Sequence, residues 1–326
     1  MNKSVKAFVA GLCLVSPLLL AQPAGGKPSD KQPAEAVPAE KADPVKLQSP
    51  GAEPRRVLRY APAKGDAYGF EMRMKMGMSM TMGGEPAPST AMPTMVMPGD
   101  VKVVDVLPGG SVKLDFVYAE GKLAETEGVM PQVIEAMETS MRQLKGLNGS
   151  FVFTSRGEYV SGSFRLPTDA DPMVKQTLQG LNKSMEQMTV PLPAEPVGKG
   201  ARWTCERNPE NNGVKMKALY THELVEQSDK SFSAKVSIDG EAGEQTVQGM
   251  KLEGMKMTGS GNMKMDLARL MPTDCRLVSK VSMSMDGGAQ GKMTMDMDLT
   301  MTMKVTEPTG AKPAPSEPDK PKAPKF

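Results

Sequence analysis

The stretch from Tyr68 to Met82 reads Tyr-Gly-Phe-Glu-Met-Arg-Met-Lys-Met-Gly-Met-Ser-Met-Thr-Met, and every even position in it is large and apolar. The odd positions are Gly, Glu, Arg, Lys, Gly, Ser and Thr. An extended chain sends alternate side chains to opposite faces, so this segment is satisfied as a β-strand with one dry face and one wet face. As a helix it would scatter its apolar residues around the whole circumference. The pattern returns at Met293, Met295, Met297, Leu299, Met301, Met303 and Val305. Such a chain needs a sheet with a long apolar face.

The rest of the chain supplies the other strands. Short strands are expected at Val57–Tyr60, Met95–Val106 and Ser111–Ala119, the last two joined across Pro108-Gly109-Gly110. Phe151–Phe164 reads as a hairpin around Arg156-Gly157. Further strands follow at 215–226, 231–238, 250–257, 263–268, 276–285 and 291–305, with Gly259-Ser260-Gly261 as a turn and Asp286-Gly287-Gly288 as the last tight turn. Two segments change to helical spacing. Met130, Val133, Ile134, Met137, Met141 and Leu144 form one, with Pro131 in its first turn and Gly146 past its end. Met173, Val174, Leu178, Leu181, Met185 and Met188 form the other.

The expected fold class is mainly β, of α+β type. Long antiparallel strands form curved or incomplete-barrel sheets, with two amphipathic helices packed on them. Gly200-Ala201-Arg202-Trp203 echoes Gly65-Asp66-Ala67-Tyr68, since each is a glycine turn leading into a strand-opening aromatic. This divides the folded region, 55–306, into related halves of about 55–190 and 191–306.

The ends read differently. Residues 1–24 have the form of a secretory signal, with Lys3 and Lys6 ahead of an apolar run from Ala7 to Leu20. That run is too short for a comfortable membrane span, and no later segment is apolar enough to cross a bilayer. The mature protein is therefore expected in the periplasm or outside the cell. Leu12, ahead of Cys13, departs from a lipobox, which argues against a lipid-anchored form. Residues 25–54 and 307–326 are Pro, Lys, Ala and Glu with almost no bulky side chains, the composition of disordered segments. Beyond the signal only Cys205 and Cys275 remain. In an exported protein the simplest expectation is one disulfide between them.

Composition excludes several classes of function. Lys and Arg total 40 against 38 Asp and Glu, and aromatics make up 4% of the chain. Neither an electrostatic footprint nor a stacking platform for nucleic acid is present. The chain has 30 methionines and one histidine, His222. His222 stands on an expected strand with no partner motif, so a surface or edge histidine is the reading. No nucleophile elbow, P-loop or dinucleotide fingerprint occurs. Asp296 and Asp298 fall opposite the Met face, as solvated strand residues. No catalytic residue, cofactor or enzyme activity is expected.

The methionines carry the functional expectations. Thioethers are soft ligands that suit Cu(I), and Met76, Met78 and Met80 share one strand face. Tyr, Phe, Leu and Val take the same parity elsewhere, however, as an apolar face allows and a ligand set does not. Met is also unbranched and pliable, a property of surfaces that accept varied apolar partners. The leading expectation is therefore a lipidic or other apolar ligand on a face built from Met72, Met74, Met76, Met78 and Met80 with Met293, Met295, Met297, Met301 and Met303. A structural or interaction role in the cell envelope, through the basic Pro-rich tail, is the alternative.

Pro196-Val-Gly-Lys-Gly-Ala-Arg-Trp203, with the Lys64-Gly-Asp-Ala-Tyr68 turn upstream and Met-rich strands on both sides, resembles an uncharacterised family of secreted bacterial β-rich proteins. The likeness spans about residues 55–305 and rests on a short Pro-Val-x-x-Gly-x-x-Trp strand start. It implies a β-rich fold and lends no activity or site residues. The order of strands and helices also resembles the incomplete barrels of periplasmic lipoprotein carriers, in architecture alone.

Overall fold

The computed structural model describes residues 44–86, 91–165, 185, 189–211, 213–247, 250–286 and 291–313. The expected signal, most of the N-terminal linker and residues 287–290 of the last turn lie outside them. The first run of elements is β1 (Val45–Ser49), β2 (Ala67–Met82), β3 (Glu85–Pro86), β4 (Thr94–Val106), β5 (Val112–Tyr118), β6 (Lys122–Ala124), helix α1 (Pro131–Leu144), β7 (Asn148–Phe153) and β8 (Tyr159–Phe164). The second is β9 (Arg202–Arg207), β10 (Glu210–Asn211), β11 (Val214–Lys215), β12 (Lys217–Gln227), β13 (Ser231–Ala242), β14 (Gln245–Val247), β15 (Met250–Asp266), β16 (Pro272–Asp286) and β17 (Lys292–Thr306).

All but β10 and β11 join one antiparallel sheet, with its main path in the order β1-β9-β12-β13-β15-β16-β17-β2-β4-β5-β7-β8. Two meanders are thus laid end to end. They meet where β17 pairs with β2, from Met293↔Met82 to Thr306↔Gly69. The two Met-rich segments that stand out in the sequence are therefore neighbours at the middle of the sheet. The two segments of the echo share a backbone feature. Gly65 and Gly200 both take positive φ, +94° and +79°, which glycine adopts without steric cost. Tyr68 and Trp203, which follow them, are both buried.

Among the described residues the sheet is not closed by a strand ladder, and its two ends are bridged instead by irregular chain. Tyr60 N–H donates to the Ser155 carbonyl at 2.8 Å, beside the β7–β8 turn, while Arg56 and Val197 exchange two bonds of 2.9 Å. From the same turn, Arg156 Nε reaches the Leu192 carbonyl at 2.9 Å. Trp203 Nε1, on β9, donates to the Pro191 carbonyl at 2.9 Å. Proline-rich residues 189–197 therefore strap the two ends of an incomplete barrel together. Val57–Tyr60, expected as a strand, belongs to this closure. It forms no ladder: Leu58 and Tyr60 are buried, the Tyr60 N–H is used by the Ser155 carbonyl, and the Leu58 carbonyl accepts from the Arg59 guanidinium at 2.6 Å.

Several other expectations are corrected. Gly259-Ser260-Gly261 is not a turn, because β15 runs straight through it for 17 residues. The N-terminal linker does not run to Pro54. Val45 and Leu47 alternate with Lys46 and Gln48, and β1 pairs with β9, placing Leu47 opposite Trp203. The tail does not leave the sheet at Glu307. Asp100 accepts from Thr309 N–H at 2.6 Å, from its hydroxyl at 2.9 Å and from Ala311 N–H at 3.0 Å. The described residues hold one helix where two were expected. The second, over Met173–Met188, lies outside them except for Met185, which is helical and buried.

Helix α1 starts and ends where its punctuation places it, with Pro131 in the first turn and Gly146 beyond the end at φ +78°. Met137, Met141 and Leu144 lie along one stripe and are buried. Burying side chains of this size stabilises by roughly 1.5–3 kcal/mol each.

Cys205 and Cys275 are not joined to each other. Both are buried, but β12, β13 and β15 separate β9 from β16. Four strand spacings of about 4.8 Å put them roughly 19 Å apart along the sheet, whereas a disulfide needs Cα atoms within about 7 Å. Burial, with Asp274 beside it, pushes the Cys275 thiol up to about 11. Both cysteines are expected to resist alkylation in the native protein and to react once it is unfolded. A mobility shift on reduction alone would contradict this arrangement.

Candidate functional site

Paired residues on adjacent antiparallel strands share a face, so the ladder registers define one continuous inner surface from β9 to β8. One line across it runs Trp203, His222, Val236, Gly261, Leu277, Met301, Met74 and Met95. The next runs Cys205, Tyr220, Ile238, Gly259, Ser279, Leu299 and Met76. The expected ligand face is thus assembled in one place. Met72, Met74, Met76, Met78 and Met80 stand opposite Met303, Met301, Leu299, Met297 and Met295, and Met293 pairs with Met82. Asp296 and Asp298 point to the other side and are exposed.

The surface changes character along its length. At the β5–β8 end it is aromatic and firm, with Phe70, Phe116, Tyr118, Phe151 and Phe164 in successive ring contacts of 4.9 to 6.1 Å. Burial raises the Tyr118 phenol to about 12. The middle, across β15, β16, β17 and β2, is methionine. Within it Met255, Met283, Met285 and Met295 are buried, yet Leu277, Met301, Met297, Met76, Met78 and Met80 retain partial exposure. Gly259 and Gly261 lie next to Leu277 and Ser279 with no side chain to fill the surface. At Gly261 a Cβ would collide with the backbone carbonyl of Arg276, and at Gly259 it would come within 3.1 Å of the Ser279 Cβ. The copper candidates Met76, Met78 and Met80 are part of this middle and continuous with it.

The β9–β12 end is polar. His222 is 3% exposed and not the surface or edge residue expected. Its ring lies parallel to Trp203, with centroids 5.3 Å apart and an interplanar angle of 8°, and its Nδ1 has no hydrogen-bond partner. Burial, aided by the nearby positive charge of Arg207, depresses its pKa to about 3. The Arg207 guanidinium stands 5.5 Å from the Tyr220 ring centroid and donates to the Thr189 carbonyl at 3.1 Å. These side chains form no part of the expected site. The signal for His222 was its parity, since Ala218, Tyr220, His222 and Leu224 occupy the same alternate positions. Nothing in the sequence brings Arg207 to the same place, because that depends on the β9–β12 register. Among the described residues no group of three His, Cys, Asp or Glu side chains is placed to hold a metal ion. No helix among them is long and apolar enough to cross a membrane, which says nothing of a β-barrel.

No curated protein matches the chain. Among solved structures, one of lipovitellin, described by its lipid–protein interactions, aligns with a TM-score of 0.43 at 10% identity. It covers 79% of this chain and 27% of its own, so the chain spans about a quarter of that protein's length. Ail, the attachment invasion locus protein of Yersinia pestis, aligns with a TM-score of 0.15 at 8% identity, over 74% of this chain and 99% of its own. Both likenesses are too loose to inform fold or role. Residues 173–269, which carry β9 to β15 and with them the polar end of the inner face, match a family of unknown function, DUF6263.

Proposed function

We propose that this is an exported, non-catalytic protein that holds a lipidic or other apolar ligand against the methionine-lined inner face of its incomplete barrel. One observation carries the reading. Across β16, β17 and β2 the inner face keeps a run of partly exposed apolar side chains, Leu277, Met301, Met297, Met72, Met76, Met78, Met80 and Met82, interspersed with buried ones. Met is also a poorer strand former than Val or Ile, and it follows the shape of varied apolar partners through three rotatable bonds. Export is supported by the basic, apolar and small-residue run of residues 1–24.

The test is native purification of the full chain, organic extraction and mass spectrometry, followed by titration of the stripped protein with the apolar fluorophore 1-N-phenylnaphthylamine. An acyl lipid near equimolar amounts and saturable uptake of the fluorophore are expected. An empty extract together with no saturable uptake would mean that the Met face packs solid, and the proposal would fall.

A further inference from the structure

The seam between β17 and β2 gathers thioethers that solvent can reach. Met72, Met76, Met78, Met80 and Met82 on β2, with Met297 and Met301 on β17, are partly exposed, whereas Met137, Met265 and Met271 are sealed at 0 to 1%. The seven lie close together, since Met78 stands opposite Met297 and its neighbours on β2 follow at every second residue. Leu299 and Val305 hold equivalent positions on β17, so packing on this face does not require sulfur. Met also suits a strand less well than Val or Ile. What Met adds is a sulfur that a two-electron oxidant can attack in the folded protein. The side chains that would compete for such an oxidant are withdrawn. Trp203 is 0% exposed and both cysteines are buried. The Cys275 thiol, pushed up to about 11 by burial with Asp274 beside it, stays protonated at neutral pH, when the thiolate is the reactive form.

We propose that this seam is an oxidant sink, in which the seven partly exposed methionines consume hypochlorous acid as methionine sulfoxides while the protein stays folded. The proposal does not depend on the apolar-ligand role; a ligand on the face would shield the same sulfurs. At each sulfur the lone pair attacks chlorine, so that an S–Cl bond forms, the O–Cl bond breaks and hydroxide leaves. Water then forms the S–O bond, chloride leaves, and two protons are released, one of which neutralises the hydroxide. One thioether and one hypochlorous acid thus give one sulfoxide, one chloride and one proton, with sulfur oxidised and chlorine reduced by two electrons. Partial exposure lets water reach the new oxygen, which avoids the cost of a buried polar atom without a partner. The backbone ladder from Met293↔Met82 to Thr306↔Gly69 does not involve the sulfurs. Sulfoxide reductases, one for each epimer, reverse the change.

The test adds hypochlorous acid in steps to the lipid-stripped full chain and locates the added oxygen by peptide mass spectrometry. Met130, which is 53% exposed and stands apart from the seam, serves as the internal standard of an open methionine. The seam methionines are expected to react about as fast as Met130, and about ten-fold faster than Met137, Met265 and Met271. Trp203 and both cysteines should stay unmodified, and the thermal transition should stay cooperative once the seam is oxidised. Treatment with reductases for both epimers should restore the original mass. A variant carrying Met76→Leu, Met78→Leu and Met80→Leu keeps the volume of the face and should take up less oxidant, by the three sulfurs removed. Seam methionines that react as slowly as the buried ones overturn the sink. So does loss of the cooperative transition before the seam is oxidised, or a variant that consumes as much oxidant as the wild type.

Discussion

Between pH 6.5 and 4.5 the unfolding free energy of this protein is expected to fall by about 2 to 3 kcal/mol, and His222→Phe is expected to abolish the fall. The sign follows from the proton balance. In the unfolded chain the imidazole takes up a proton below its ordinary value of 6.5, whereas burial holds the folded value near 3. The unfolded state therefore binds the additional proton across this window, and stability drops by about 1.4 kcal/mol per pH unit. His222 is the only histidine in the chain. The carboxylates held low by ion pairs, such as Glu223 by Arg202 and Glu253 by Lys292, lose their contribution only as pH falls further, through the carboxylate range. At neutral pH the same substitution removes a buried polar atom without a partner, so a gain of about 1 kcal/mol is expected. Urea titrations of both proteins at four pH values measure both effects. A parallel pH profile in the variant would show that His222 is not buried as described.

Gly261→Ala is expected to cost about 3 kcal/mol or more, the range of severe overpacking, while Gly259→Ala costs about 1 kcal/mol. The two glycines are two residues apart on one strand face, yet their surroundings differ. An added Cβ at Gly261 meets the Arg276 carbonyl and Leu277 Cα, which are backbone and cannot yield without parting β15 from β16. At Gly259 the nearest atoms are the Ser279 Cβ at 3.1 Å and the Val278 oxygen at 3.3 Å, close enough to crowd but not to separate the strands. Parting β15 from β16 at Gly261 should also abolish uptake of 1-N-phenylnaphthylamine. Equal urea midpoints for the two variants would remove the account of a close backbone approach at Gly261.

What was legible in the sequence was whatever depends on near neighbours. The period-two run at Tyr68–Met82 fixes the strand and its dry side, and the punctuation by Pro131 and Gly146 fixes helix α1. The glycine turns before Tyr68 and Trp203 stand just ahead of β2 and β9. What failed depends on contacts across the sheet. Gly259-Ser260-Gly261 has the composition of a turn, and only its close pairing with β16 keeps it within a strand. Val45–Ser49 alternates properly, but its proline-rich flanks hide a strand that exists because β9 offers it an open edge. The cysteines looked like a pair because no others remained, and strand order keeps them apart. In the candidate site, the Met face was readable from parity, and so in principle was His222. Arg207 was not, because a register across β9 and β12 has no local signature.

The seam between β17 and β2 also bears on how the chain folds. Met293 pairs with Met82 and Thr306 with Gly69, separations of 293 − 82 = 211 and 306 − 69 = 237 residues. Contacts this distant in sequence are slow to form, because a long loop must close before any pairing stabilises it. Each meander can zip locally as it is made, but the centre of the finished sheet waits for the last strand to arrive. Until then β2 presents an unpaired, methionine-rich edge of the kind that recruits foreign strands. The protein is thus most exposed to misassembly at its middle, and a truncation that removed only β17 would split the sheet in two.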